Sequence, residues 1–197
     1  MFREVAEIAV SEGLSEGSKL PDVITSKSEV ASLPDVFKIN EIEETRYKNC
    51  PIEGHNGHWE GVAGNSKWIP DRNYIPAKTN ADNFKCGKIM DKFEIAGIDF
   101  IEGEPDFSNI AKEIVNVEDV TDQRTDNFEL ADKIVAKKWG CTPKEVVAWR
   151  KENQYTWHEC RDMQTMQMVP RVIHNNIPHR GGISLAKEFN RDLNEVI

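Results

Sequence analysis

Apolar residues recur every three or four positions from Phe128 through Ala131, Ile134 and Val135 to Trp139, the period of an amphipathic helix, with Gly140 placed as its C-cap. Directly after it comes Thr142-Pro143-Lys144-Glu145, in which Thr caps, Pro takes the first helical position and Glu reaches back as in a capping box. A second helix is therefore predicted over residues 143–153, with Val146, Val147 and Trp149 as its core face. Upstream, residues 88–97 pattern as a short helix stopped by Gly97, and the following Ile-Asp-Phe-Ile reads as a strand. Near the end, Tyr155 to Glu159 has β-type residues and Thr165 to Val169 alternates polar with apolar. Pro170 can open a helix through His174, so the predicted order is strand, strand, helix.

The remaining chain is less periodic. Residues 49–82 are dense in Gly, Asn, Pro and Trp, which predicts turns and short strands pinned by aromatic anchors. Residues 1–45 are rich in Ser, Glu, Gly and Pro and read as an arm or linker; Leu20-Pro21-Asp22-Val23 and Leu33-Pro34-Asp35-Val36 are too short a similarity to make a repeat. The expected fold class is α+β, divided into an arm (1–45), an α+β accessory region (46–140) and a C-terminal unit (141–197).

Composition narrows the function. With 39% hydrophobic residues in 197 the chain can build a core, and no run approaches the roughly 20 apolar residues of a bilayer span. The acids inside its first apolar stretch are unlike a secretory signal, so export is expected as part of a larger effector. Its four cysteines form no CxxC pair and read as reduced thiols. The net charge of −9 opposes nonspecific nucleic-acid binding by the whole surface. That charge is uneven: residues 150–197 carry +1 and residues 1–149 carry −10, so only the end of the chain suits a polyanion.

The chemistry concentrates there too. His158, His174 and His179, three of the five histidines, fall within 22 residues, the first on a predicted strand and the second on a predicted helix. Imidazoles so placed can fix a divalent ion for phosphodiester cleavage, with a nearby base taking a proton from water. The bland alternative is a packed His158 and a surface His174, because the spacing matches no structural-zinc pattern. His55 and His58 have HxxH spacing in a glycine-rich loop and read as solvated imidazoles.

The wording WHECRDMQTMQMVPRVIHNNIPHRGG, residues 157–182, resembles toxin nucleases of the HNH/endonuclease VII superfamily with the WHH signature. In these, Trp-His-His is followed by a Met-Gln-x-Val-Pro strand, a helix histidine, and a final His with Gly-Gly. The upstream phrase GNSKWIPDRNYIP also resembles sequence that precedes such ends in polymorphic toxin systems. The resemblance implies a ββα-metal finger holding one divalent ion (Mg, Mn, Ni or Zn) through His158, His174 and His179. It implies an endonuclease with little base specificity, DNA ahead of RNA as substrate, action as an antibacterial toxin in the cytoplasm of a target cell, and a cognate immunity protein.

Two departures from the family pattern stand out. The position after the first histidine, where the family usually has its general base, is Glu159. Either His158 is a ligand and Glu159 the base, or Glu159 is a hard oxygen ligand and His158 the base. Because neighbours on a strand point to opposite faces, both serve one site only if the strand ends or twists there. Second, His174 and His179 are i, i+5, about 140° apart on an ideal helix, so the helix must break before His179, and Pro178 supplies the break. Arg161, Arg171 and Arg180 are candidate phosphate contacts, Trp157 a packing anchor and Gln167 a hydrogen-bonding support near the family's middle asparagine. The rival classes are a nonenzymatic zinc-stabilised module using the same histidines with Cys160, and a DNA-binding regulator using the helices around Gly140; Glu145 and Glu152 disfavour the latter.

Overall fold

The computed structural model describes residues 47–118 and 120–195; the expected arm, with its two Leu-Pro-Asp-Val phrases, lies outside the described residues. Two antiparallel sheets organise the rest, which makes the chain α+β. The first has four strands in sequential order: β1 (Gly57–Trp59), β2 (Lys67–Pro70), β3 (Ile98–Ile101) and β4 (Glu104–Asp106), with helix α1 (Cys86–Lys92) inserted after β2. The expected aromatic anchors hold it: Trp59 meets Trp68 edge-on at 5.3 Å and Phe100 at 5.0 Å between centroids. T-shaped contacts of this kind add to area burial.

Gly97 acts differently from the expected helix stop. α1 already ends at Lys92, and Glu94 takes the left-handed turn at φ 55°. At Gly97 a Cβ would stand 2.4 Å from the Trp68 carbonyl oxygen, so this glycine permits close approach of backbone to β2.

The second sheet comprises β5 (Glu113–Asn116), β6 (Tyr155–Glu159) and β7 (Thr165–Pro170), with β7 central. Helices α2 (Arg124–Trp139) and α3 (Pro143–Glu152) cover one face. Gly140 terminates α2 in the left-handed conformation at φ 67°, and the Thr142–Glu145 capping box opens α3, both as the sequence predicts. Alternation sorts the strands: Val115, Trp157, Met166 and Met168 pack with Ala131, Val135 and Val146 of the helices. The other face sends Val169 into a core shared with Phe107, Phe100, Ile173 and Ile177. This second core joins the sheets. β5 pairs with β7, so the sheet carrying the C-terminal strands draws a strand from across residues 140 and 141.

One core contact was not legible in the periodicity. α3 buries Val146 and, instead of Trp149, the charged Arg150. Arg150 Nε donates to Asp132 Oδ1 at 2.8 Å and its Nη2 to Oδ2, and Trp157 Nε1 donates to the same Asp132 Oδ1 at 2.9 Å. Asp132 is 2% exposed and Trp157 1%. Breaking a buried pair leaves an uncompensated charge, which costs about 3–5 kcal/mol. Arg150→Leu is accordingly expected to lose about that much in urea unfolding, whereas loss of the exposed Thr142 cap in Thr142→Ala should cost about 1 kcal/mol. Equal costs would remove the buried pair from its structural role.

Candidate metal centre and nuclease site

Three different local structures deliver the three histidines. His158 is the fourth residue of β6 and lies opposite Gln167 of β7, on the face away from α2 and α3. His174 closes helix α4 (Arg171–His174), which begins directly after β7 with Pro170 as its N-cap. The helix ends there, and the chain turns through Asn175 and Ile177 so that His179, just beyond Pro178, returns to the same point. The break expected from the i, i+5 spacing is thus present.

The rings converge. His158 Nδ1 lies 3.3 Å from His174 Nε2, and the three ring centroids are 5.0 to 5.4 Å apart. One ligand atom from each histidine falls within 4.8 Å of the other two. Two nitrogens bound tetrahedrally at about 2.0–2.1 Å stand about 3.3–3.4 Å apart, so this spacing suits a shared cation. Beneath them Phe107, wholly buried just after β4, presents its ring to all three, with centroids 5.1 to 5.8 Å away.

The outward nitrogens settle which lone pairs face the centre. His179 Nδ1 is 2.8 Å from the Ile177 carbonyl oxygen, and His174 Nδ1 is 3.2 Å from Asn175 Oδ1. When those nitrogens donate, the Nε2 lone pairs of both rings turn inward. His158 is used the other way: Nδ1 faces His174, while Nε2, with no hydrogen-bond partner among the described residues, stands 3.7 Å from Glu104 Oε1. Burial pushes all three pKa values down, to about 4 for His158 and His179 and about 3 for His174, where the other two histidines add to the effect. Neutral, desolvated and preoriented imidazoles are the donor set that a divalent ion takes from protein. The residues present therefore fit the ion.

A cavity of about 470 Å³ opens on this cluster, lined by His158, His174, His179, Glu159, Arg124 and Gly181 among others. Glu159 is the last residue of β6 and 4% exposed, so the pleat turns it toward α2 while the end of the strand lets it reach the same cavity. There Asn127 Nδ2 donates to its Oε1 at 3.1 Å, and Arg124 Nε lies 3.3 Å from its Oε2. Burial raises the Glu159 pKa, and Asn127 and Arg124 pull it partly back. The Gly-Gly of the motif lets the loop close on the strand end: a Cβ on Gly181 would meet the Glu159 carbonyl at 2.9 Å, and one on Gly182 would collide with that of Cys160 at 2.3 Å.

The other expected residues divide between those placed as the sequence predicts and those bonded elsewhere in the fold. Trp157 is the buried anchor. Gln167 is 7% exposed, but its Oε1 has no partner among the described residues. Arg161 pairs with Glu102 at 2.6 Å, and its backbone N–H donates to Glu104 Oε1. Arg171 Nε donates to the Tyr155 carbonyl. Arg180 follows His179 in the chain. His55 and His58 are exposed and lie outside the histidine cluster, although His55 lines the same cavity, and none of the four cysteines is in a disulfide. Sequence reasoning missed Glu104, Phe107, Arg124 and Asn127, all from the stretch assigned to an accessory region. The one signal for Arg124 and Asn127 was that an amphipathic helix beginning there must present its first turn somewhere.

Residues 97–181 match the family model described as the DNase/tRNase domain of colicin-like bacteriocin, an HNH-type toxin nuclease domain. This bears out the superfamily resemblance of residues 157–182, and it supports a nuclease toxin. The matched stretch begins at β3 and so includes Glu104, Phe107 and Arg124. No curated protein matches the chain.

Stability should follow the imidazoles. An unfolded histidine titrates near pH 6.5, so between there and the folded values of about 3 and 4 the unfolded state binds more protons and stability rises with pH. The metal-stripped protein is expected to lose urea stability as pH falls from about 7 to about 5, and His174→Ala should flatten that slope. A wild-type slope no steeper than the variant's would contradict the burial of neutral rings.

Proposed function

We propose that the chain is a metal-dependent endonuclease that hydrolyses phosphodiester bonds, in DNA ahead of RNA, and acts as an antibacterial toxin. The observation that carries this is the convergence of three imidazole lone pairs on a cavity of about 470 Å³ that they line. His158, His174 and His179 would hold one divalent ion, Mg, Mn, Ni or Zn. When bound, such an ion polarises the phosphate and stabilises charge on the leaving oxygen.

The chain's own residues supply the rest. His158 Nδ1 is committed to the cluster, which favours His158 as a ligand and Glu159 as the proton acceptor over the reverse. Glu159 opens on the same cavity with a raised pKa, which makes it a stronger base than a surface glutamate. Glu104, 3.7 Å from His158 Nε2, would hold the tautomer that leaves Nδ1 unprotonated. Arg161, Arg171 and Arg180 are the candidates for contact with flanking phosphate, Arg161 being ion-paired with Glu102 and Arg171 bonded to the Tyr155 carbonyl.

The nuclease unit in this reading starts near residue 97 and carries its ligands in residues 141–197. The accessory region expected over residues 46–140 would then shrink to the stretch before residue 97. No helix among the described residues is long and apolar enough to cross a membrane; delivery as the end of a larger secreted effector, with activity in the target cytoplasm, fits this. A cognate immunity protein would protect the producer, and the net charge of −10 on residues 1–149 suits the docking of such a partner.

One observation favours a nonenzymatic zinc module: Glu104, His158 and Cys160 also bring donor atoms within 4.8 Å of one another. A structural zinc site is closed and four-coordinate, whereas the histidine cluster opens on a cavity. Chelation separates the two, unfolding the structural form and stopping cleavage first in the catalytic one.

Expression of the chain alone in bacteria should arrest growth and degrade the chromosome, and His158→Ala or His174→Ala should abolish both effects. Glu159→Gln is expected to slow plasmid cleavage by about 10²–10⁴-fold. Normal growth with an intact chromosome, or histidine variants as toxic as wild type, would remove the nuclease reading.

A further inference from the structure

We infer that Arg124 is the phosphodiester-binding residue of this site, held over the cavity by Glu159. The inference rests on the nuclease reading and adds a substrate contact to it.

Arg124 opens α2 and lines the cavity together with all three histidines and Glu159. Its side chain remains 59% exposed while Glu159, its partner, is 4% exposed. The contact is made through Nε at 3.3 Å, and a guanidinium engaged at Nε still carries four N–H donors on its terminal amino groups. Two N–H donors in a planar fork match two phosphate oxygens, which a lysine ammonium cannot do.

Position supports the same role. The guanidinium lines the same cavity as the three imidazoles and meets Glu159 at the end of β6. Lys78 also lines the cavity. Arg161 and Arg171, by contrast, are engaged with Glu102 and with the Tyr155 carbonyl. The buried Glu159 carboxylate keeps its other oxygen on Asn127, itself 0% exposed and hydrogen-bonded to Thr121. The anchor for Arg124 is therefore fixed before any substrate arrives, which spares the ordering entropy of a long side chain. An acidic protein that must accept a polyanion needs such a local cation, because its overall field is repulsive.

The test is binding of the full chain in chelator to a short fluorescein-labelled DNA duplex and to a single-stranded RNA of the same sequence, followed by anisotropy at several salt concentrations. Loss of one phosphate contact lowers the slope of log K against log salt by about 0.9 on duplex DNA and about 0.7 on a single strand. Arg124→Gln is expected to weaken binding about tenfold at low salt and to reduce the slope by that amount, Arg124→Lys to keep the slope with a smaller loss, and Arg72→Gln, at an arginine paired with Asp91 outside the cavity lining, to change neither. With metal restored, Arg124→Gln should lower cleavage at limiting substrate more than at saturation. Arg124→Gln with wild-type affinity, slope and cleavage, in a protein that binds and cuts, overturns the inference alone. A wild type that neither binds nor cuts DNA or RNA overturns the nuclease reading beneath it.

Discussion

The site depends on one costly arrangement, three imidazoles held neutral within reach of one another, His158 buried and His174 and His179 partly buried. Burial of three titratable rings opposes folding at acidic pH, so other contacts must hold them there. They are found in the Phe107 ring below, in the carbonyl and amide oxygens that take the outward N–H groups, and in the core that joins the two sheets. The first sheet is thus more than a neighbour. Its last strand supplies Glu104 and leads straight into Phe107, so a C-terminal segment cut away from it would lose the floor of its own site.

The second determinant is how a strand end serves two faces. His158 and Glu159 are adjacent and point oppositely, one to the histidine cluster and one to the first turn of α2. Both reach the cavity because β6 stops at Glu159 and the loop containing Gly181 and Gly182 closes on that end without a Cβ. Where the superfamily has a second histidine this chain has a carboxylate, and the structure surrounds it with Asn127 and Arg124, groups suited to an anion. An imidazole there would gain little from the arginine. The substitution and its surroundings are chemically consistent.

Local signals made much of this legible. The capping box at Thr142, the glycine cap at Gly140 and the order strand, strand, helix after Gln154 follow from spacing and turn chemistry, and the meeting of His158 with His174 follows from that order. His179 was legible through Pro178, which forces the turn. Long-range partners were not. Glu104 and Phe107 lie more than 50 residues before His158 and carry no local pattern that points to it. Arg150 was hidden for a different reason: periodicity assigns apolar residues to the core, and a charge paired inside it violates the rule by which the core was read.

Cobalt(II) titration of the metal-stripped full chain, followed by its visible d–d absorption, addresses the convergence of the histidines most directly. One equivalent should bind with a spectrum of nitrogen-rich coordination, release no proton near neutral pH because the rings are already neutral, and fail to bind in His179→Ala. Absence of uptake by the wild type, or uptake undiminished when His179 is removed, would contradict a shared centre.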